Sequence, residues 1–294
     1  MKWLGVWLGL TCGLICSANA VERRMAFERN EGVHVANLEA SLVRNLSPGI
    51  FPAISADAKS VVYTVVEQKG NTSVRRLAII DVATGKSELL TKVPSDNSYY
   101  GTWSPDGKWI AFTFRTEGLW NLGLIKPDGS EFKFIRKGEQ DKGTLYSTCW
   151  AGDAQSIFCH DMTNIYRLRL DGSVLAQWPI RSIVPNGGMS GDSRIDVSPD
   201  GKRLLLSVEM DEVYNRKDWD GPVPALWSFD LSTQTAVRLT PKNQFAWDAC
   251  WLDNTNVLFL SQNAGEKQAG LYRTNGKNQK RLIENARHPT VSGL

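Results

Sequence analysis

Histidine is scarce in this chain, and the catalytic motifs that depend on it are absent from the sequence. Three histidines, His34, His160 and His288, occur among the 294 residues. They form no H-E-x-x-H or H-x-x-E-H zinc motif, and no G-x-S-x-G nucleophile motif is found. The sequence therefore identifies no catalytic residue, no metal site and no cofactor. It favours a non-enzymatic protein, and an enzyme is the alternative.

The chain also lacks an excess of charge of one sign. It has 34 Lys and Arg residues against 31 Asp and Glu residues, a net charge of +3. Proteins that bind nucleic acids or membrane surfaces electrostatically usually carry a strong basic excess or a basic cluster. We therefore expect neither nucleic acid nor a membrane surface as the partner.

The first 20 residues, MKWLGVWLGLTCGLICSANA, contain an apolar run that is too short to span a membrane. Lys2 precedes a run of roughly 14 apolar residues, and Ala18-Asn19-Ala20 follows it, as in a secretory signal with its cleavage site. A membrane-spanning helix needs about 20 apolar residues. The sequence predicts a signal peptide over residues 1–20 and a single domain over residues 21–294. The expected location is periplasmic or secreted, with no membrane span after cleavage.

Cysteine is infrequent, and three cysteines follow residue 20: Cys149, Cys159 and Cys250. In an oxidising compartment Cys149 and Cys159 could form a disulfide. The predicted hairpin places Cys149 opposite Ile157 with Cys159 as a diagonal neighbour, which is a marginal geometry for that bond. Three buried thiols are the alternative, and the sequence does not decide between the two.

A short hairpin pattern recurs along the chain. The copies WSPDGKWIAF and VSPDGKRLLL begin at Trp103 and Val197, and three degraded copies accompany them. A spacing near 40 to 50 residues is typical of β-propeller blades, each built of four antiparallel strands. The residues before the turns, spaced by 49, 47, 47 and 54 positions, are Ile54, Trp103, Trp150, Val197 and Trp251.

The two ends of the chain complete the count of blades. Val291 marks a sixth innermost strand, and the missing strands are predicted near the N-terminus, beginning at Arg24, Gly32 and Ser41. Pairing these segments would close the ring and remove exposed sheet edges. The predicted fold is therefore all-β, a six-bladed propeller of four-stranded antiparallel blades closed by pairing of N-terminal strands with the C-terminal strand.

The repeated SPDGK turn and the RLT segment Arg238 to Thr240 resemble the WD-like repeat of TolB-type six-bladed β-propellers from bacterial envelopes. The resemblance covers nearly all of the chain after residue 20, but nothing before residue 24 matches the TolB α/β domain. By analogy it implies an envelope protein as the partner, for example a peptidoglycan-associated lipoprotein. The same repeat occurs beside peptidase domains and in polysaccharide lyases, so the resemblance is specific for fold rather than function.

Long loops are expected at only one end of the ring, and binding usually resides in such loops. Tyr, Trp and Arg tend to dominate protein–protein binding energy. We therefore predict that this end binds an envelope protein or peptide, although Tyr100 and Trp247 could instead pack between blades. The predicted binding residues are Tyr99, Tyr100, Asp192, Tyr214, Arg216, Trp219, Asp220, Phe245, Trp247 and Asp248.

Two other functions remain open at this point. The acidic and aromatic residues of the same end would suit a lyase or hydrolase acting on an oligosaccharide, with Asp220 or Asp248 in the reaction. A small ligand in the central channel is the third possibility. The sequence gives no indication of oligomeric state.

Overall fold

The computed structural model describes residues 22–138, 144–214 and 216–293, which form 25 strands and one short helix. The predicted signal peptide lies outside the described residues. The elements of the first half of the chain are β1 (Arg24–Arg29), β2 (Gly32–Asn37), β3 (Arg44–Pro48), β4 (Ile50–Ile54), β5 (Ser60–Lys69), β6 (Thr72–Asp81), β7 (Ser87–Leu89), β8 (Ser98–Trp103), β9 (Ile110–Thr116), β10 (Leu119–Ile125), β11 (Phe132–Arg136) and β12 (Tyr146–Trp150).

The elements of the second half include the helix, which connects blades three and four. They are β13 (Ser156–His160), β14 (Asn164–Arg169), β15 (Val174–Pro179), α1 (Ile180–Ile183), β16 (Gly187–Gly188), β17 (Ile195–Val197), β18 (Arg203–Met210), β19 (Val223–Asp230), β20 (Ala236–Arg238), β21 (Ala246–Trp251), β22 (Val257–Ser261), β23 (Gly270–Thr274), β24 (Gln279–Glu284) and β25 (Arg287–Val291). None of the described residues belongs to a helix with the length and apolar character needed to cross a bilayer.

Six antiparallel sheets form the blades of a closed ring. Blade one is β4 to β7, blade two β8 to β11, blade three β12 to β15, blade four β16 to β20, blade five β21 to β24, and blade six is β25 with β1 to β3. The innermost strands contact their neighbours in the order β4, β8, β12, β17, β21 and β25, and β25 contacts β4. The predicted six-bladed propeller is confirmed.

The chain ends close the ring, as the sequence predicted. In blade six Met25 on β1 pairs with Val291 on β25. The backbone N–H of Ser292 donates to the Arg24 carbonyl at 2.9 Å, and the Arg24 N–H donates to Ser292 Oγ at 2.9 Å. Met25 and Phe27 are fully buried, so the closure contributes to the core as well as to the hydrogen-bond ladder.

The repeated turn owes its shape to side-chain hydrogen bonds. Ser104 Oγ donates to Asp106 at 2.7 Å and accepts the Trp109 N–H at 2.9 Å. The copies beginning at Ser55 and Ser198 make the same pair of bonds. Serine and aspartate therefore recur in this turn because they satisfy its backbone locally.

Tryptophan at the end of the innermost strand ties neighbouring blades together. Trp103 Nε1 donates to the Ala53 carbonyl of blade one, and Trp150 Nε1 donates to the Thr102 carbonyl of blade two, both at 3.0 Å. The indoles thus bury large apolar areas while their single polar atoms remain satisfied.

The predicted register of the blade-three hairpin was wrong by one residue. Cys149 pairs with Phe158, and Trp150 pairs with Ile157. The cause is the turn, which the Ala151 N–H closes by donating to the Ser156 carbonyl at 2.9 Å rather than one residue earlier. The three cysteines of the described residues are buried free thiols, which settles the alternative that the sequence left open.

Candidate functional site

The two ends of the ring differ in the length of their connections. The end that carries the SPDGK turns, called the turn face, has connections of four to six residues within its blades. The opposite end, called the loop face, has several connections of seven to 15 residues together with tight hairpins. The long ones include 90–97, 180–194, 211–222, 239–245 and 262–269.

Five innermost strands contain a bulge at the same place near the loop face. The register shifts in β4, β8, β12, β21 and β25 coincide with one residue of positive φ in each strand, with angles between 49° and 54°. A left-handed backbone costs an L-residue roughly 1–2 kcal/mol, so the repeated bulge is a built feature. Together with Arg194, which has the same offset in blade four, the bulged residues form what we call the mouth ring: Phe51, Tyr100, Ser147, Arg194, Asp248 and His288.

An ion-paired carboxylate occupies the polar side of the mouth ring. Asp248 accepts a hydrogen bond from Arg194 Nη1 at 2.7 Å and the backbone N–H of His288 at 2.6 Å. Burial raises the pKa of Asp248, but His288 and Arg194 outweigh it and hold that pKa well below its usual range. The predicted binding residue Asp248 is only 4% exposed, and both its oxygens are already engaged inside the ring.

Aromatic side chains occupy the other side of the mouth. The Phe51 ring lies 4.2 Å from Tyr100 and 4.4 Å from His288, measured between centroids. Tyr99 packs against Phe51 at 5.5 Å and against Trp120 at 5.2 Å. We call these five residues the mouth cluster. Phe51 and His288 were missed as site residues, although each has the same offset from its repeat as Tyr100.

Tyr100 reaches across the mouth toward blade four. Its hydroxyl donates to Asp192 at 3.5 Å. Burial and the nearby Asp192 carboxylate raise the pKa of Tyr100 far above its usual value, so the phenol stays neutral. Asp192 itself is exposed, and the pair lies at the surface of the loop face.

Residues 211–214 and 216–222 between β18 and β19, called the strap, are held against blade five by a local polar network. Asp218 accepts two hydrogen bonds from Arg216, at 3.1 and 2.9 Å, and one from the Gly265 N–H at 3.0 Å. Arg216 also donates to the Gln262 carbonyl at 2.6 Å, and its side chain is 8% exposed. Tyr214 donates to the Gly221 carbonyl at 2.8 Å. The polar groups of Tyr214 and Arg216 are therefore already occupied by hydrogen bonds that hold the strap in place.

The strap places an indole beside a second indole on blade five. Trp219 packs against Phe245 at 4.9 Å and against Trp247 at 5.9 Å, and its Nε1 donates to the Pro222 carbonyl at 3.1 Å. Phe245 is buried beneath them, whereas Trp219 and Trp247 are partly exposed and Asp220 is exposed. Tyr214, Arg216, Trp219, Phe245 and Trp247 form what we call the strap cluster.

The predicted binding residues thus fall into two groups on opposite sides of the ring. Tyr99 and Tyr100 belong to blade two, and Asp192 meets Tyr100 from the connection before β17. The strap cluster lies over blades four and five, with Asp220 beside it. Asp248 lies between the groups, buried in the mouth ring.

His160 lies apart from His288 and is enclosed by its own blade and the next. Its Nε2 contacts the Ser193 carbonyl at 2.9 Å, and the Met162 N–H donates to Nδ1 at 3.2 Å. Burial lowers the pKa of His160 to about 4, so the ring is neutral at physiological pH. Among residues 22–138, 144–214 and 216–293, no three His, Cys, Asp or Glu side chains are grouped closely enough to hold a metal ion.

Comparison with known proteins gives one partial relative and several structural neighbours. No family model matches the sequence. Dipeptidyl-peptidase 5 of Porphyromonas gingivalis is 30% identical over 118 residues, which is 38% of this chain and 17% of the peptidase. The match thus spans about a sixth of that relative's length.

Solved structures resemble the chain over most of its length. TolB from Acinetobacter baumannii gives a TM-score of 0.71 at 18% identity and covers 93% of this chain and 67% of the TolB chain. Oligogalacturonate lyase from Vibrio parahaemolyticus gives a TM-score of 0.55 at 15% identity, with 84% and 74% of the two chains covered. Identities this low support the fold and not the activity. The closed six-bladed ring and these neighbours show that the chain has the fold of TolB-type six-bladed β-propellers.

Proposed function

We propose that the protein is an exported, non-enzymatic scaffold that binds another envelope protein, or an extended peptide from one, at its loop face. The observation that carries the proposal is the strap, whose own contacts fix Trp219 beside Trp247 as two partly exposed indoles. Large aromatic anchors dominate many interfaces. Because the strap is already folded by Arg216 and Asp218, a partner would not need to supply the free energy of ordering it.

The narrow mouth of the ring favours a partner that binds on the surface of the loop face over one that threads through the channel. Phe51, Tyr100 and His288 crowd the centre of the loop face, where the remaining cavity is about 20 Å³. Tyr99 and Tyr100 would form the second contact region, opposite the strap cluster. The exposed carboxylates of Asp192 and Asp220 favour a partner segment that carries Lys or Arg near its apolar anchors.

The roles of the predicted binding residues divide accordingly. We assign contact with the partner to Tyr99, Tyr100, Trp219 and Trp247. Tyr214, Arg216, Phe245 and Asp248 would act by positioning them, since each is buried or committed to internal hydrogen bonds. The contact residues lie at the edges of two preformed aromatic clusters, with the acidic side chains of Asp192 and Asp220 beside them.

The export and the kind of partner rest on sequence and on analogy. Residues 1–20 have the pattern of a secretory signal. The TolB-like repeat makes a peptidoglycan-associated lipoprotein the first candidate to test as the partner.

Site-specific crosslinking in the native envelope tests this function. A photoreactive amino acid would replace Lys217 in the strap, with Lys108 in the blade-two turn as the matched control, since both lysines are exposed. We expect a discrete adduct with one envelope protein from position 217 and none from position 108. Adducts of equal yield from both positions, or from position 108 only, would contradict binding at the loop face.

An oligosaccharide-acting enzyme is the second candidate. Exposed Asp192 and Asp220 next to aromatic side chains, together with the likeness to oligogalacturonate lyase in fold, support it. Incubation with oligogalacturonate and other envelope or plant polysaccharides separates the two functions. We expect no product above the protein-free blank, whereas turnover that Asp220→Asn abolishes would establish the enzyme instead.

A further inference from the structure

The turn face carries a cavity of about 380 Å³ at its end of the central channel. It opens between the exposed turn residues Pro105, Gly152 and Pro199. Small-molecule sites in proteins typically measure about 300–1,000 Å³, so the cavity has room for a small ligand. We call this cavity the cup.

The cup is separate from the proposed binding surface of the loop face. Thr102, Thr148 and Arg194 line both the cup and the small cavity of about 20 Å³ beneath the mouth ring. The channel therefore narrows from the cup toward the loop face. A ligand that enters from the turn face would meet the wide part of the channel only.

One carboxylate in the cup lacks an ionic partner. Asp196 accepts the Trp251 backbone N–H at 2.6 Å and a weak hydrogen bond from Cys149 Sγ at 3.5 Å. Arg194, which also lines the cup, directs its ion pair to Asp248 instead. Within the described part of the chain, no Lys, Arg or His nitrogen lies within 4.0 Å of the Asp196 carboxylate. An enclosed carboxylate of this kind is stabilised by a cation.

The walls of the cup are aromatic. Trp103, Trp150 and Trp251 all line it, one from each of three blades. The Nε1 atoms of Trp103 and Trp150 are bound to strand carbonyls. Trp150 and Trp251 are each 6% exposed, and Arg203 lies 4.8 Å over the Trp251 ring. The partly exposed Trp103 therefore offers the largest indole surface to a ligand. Indole faces attract cations, and cages of aromatic rings recognise alkylated ammonium groups.

We infer that the cup binds a small organic monocation of the ammonium class, with its charged group at Asp196 and its alkyl groups against the indoles. Arg23 at the rim donates to the carbonyls of Leu252 and Ser292. Its positive charge disfavours a second cationic group on the ligand, so polyamines should bind less well than monoamines. The inference is independent of the proposed function at the loop face.

Calorimetric titration with choline tests the inference, with 3,3-dimethylbutan-1-ol as the uncharged probe of the same shape. We expect saturable choline binding that is at least about tenfold tighter than binding of the alcohol, the size of an interaction worth about 1.4 kcal/mol. Asp196→Asn should weaken choline binding by a similar factor. The matched control, Asp171→Asn in an exposed turn, should leave it unchanged.

Three results would overturn the assignment of an ammonium site. They are the absence of saturable choline binding, equal binding of the two probes, and tighter binding of propionate than of choline. The comparison of probes uses the unmodified protein, so it decides the question even if Asp196→Asn fails to fold. A negative result here would leave the crosslinking experiment at Lys217 unaffected.

Discussion

Asp248 and Arg194 form an ion pair within the ring, with 2.7 Å between Arg194 Nη1 and Asp248 Oδ1. The two residues belong to neighbouring blades and are 54 positions apart in the chain. Their side chains are only 4% and 14% exposed, so neither charge is well solvated if its partner is removed.

Replacing Asp248 by Asn should therefore destabilise the fold by about 3 kcal/mol or more, because breaking a buried pair leaves an uncompensated charge. Urea unfolding followed by circular dichroism measures the change. The matched control is Glu88→Gln, which breaks the exposed pair with Lys86 and should leave stability nearly unchanged, because solvent screens exposed ion pairs. A loss at Asp248 no larger than the control would refute a structural role for this pair.

His160 should make the fold less stable in mild acid. Its pKa is lowered to about 4 by burial, whereas the unfolded chain has a value near 6.5. Below pH 6.5 the unfolded state takes up a proton that the folded state does not. The free energy of unfolding therefore decreases as the pH is lowered from 6.5 to about 4. The expected loss from this group is about 2 kcal/mol between pH 7 and pH 5.

Urea unfolding at both pH values checks the His160 prediction. The His160→Gln variant has no group that titrates in this window at residue 160, so its stability should change less between pH 7 and pH 5. Identical pH dependence in the two proteins would show that His160 is not held neutral by the fold.

The cysteines should be unreactive in the native protein. Cys149, Cys159 and Cys250 are buried, and burial raises the pKa of the Cys159 thiol to about 12. Thiolate is the reactive form, so a thiol reagent should label none of the three in a chain beginning at Val21. All three should react in urea without a reductant, and fewer than three labels would reveal a disulfide.

The strap should open when its polar network is cut. Asp218 joins Arg216 to the Gly265 backbone, so Asp218→Ala should increase the rate of tryptic cleavage after Arg216 or Lys217. The midpoint of global urea unfolding should stay nearly unchanged, because the strap lies outside the blades. Unchanged cleavage would show that the strap does not depend on these bonds.

The fold was predictable because a propeller repeats its local signals. Ser104 and Asp106 stabilise their turn through local hydrogen bonds alone, and the same residue types recur in the turn near residue 200. The break of the innermost strand in blade four into β16 and β17 was not predictable, since it depends on how the connection 180–194 packs. The one-residue error at Cys149 arose because the sequence does not state where a turn closes.

The sequence could indicate which residue types gather at the loop face. It could not indicate which of those side chains are exposed and which are buried beneath the others. The sequence placed Trp219 and Phe245 at one end of the ring, yet only packing shows that Phe245 lies beneath the indole. Asp248 carries no local sign that it would be buried against Arg194. The cup around Asp196 was not predicted, because its walls come from strands of several blades that only the closed ring brings together.

The affinity of the protein for the partner captured at Lys217 tests the central claim most directly. The double variant Trp219→Ala with Trp247→Ala should weaken binding by about 2 kcal/mol or more, roughly thirtyfold in Kd. The matched variant Trp109→Ala, in the blade-two turn, should bind as the unmodified protein does. A double variant of unchanged affinity, with its fold intact by circular dichroism, would contradict binding through the loop face.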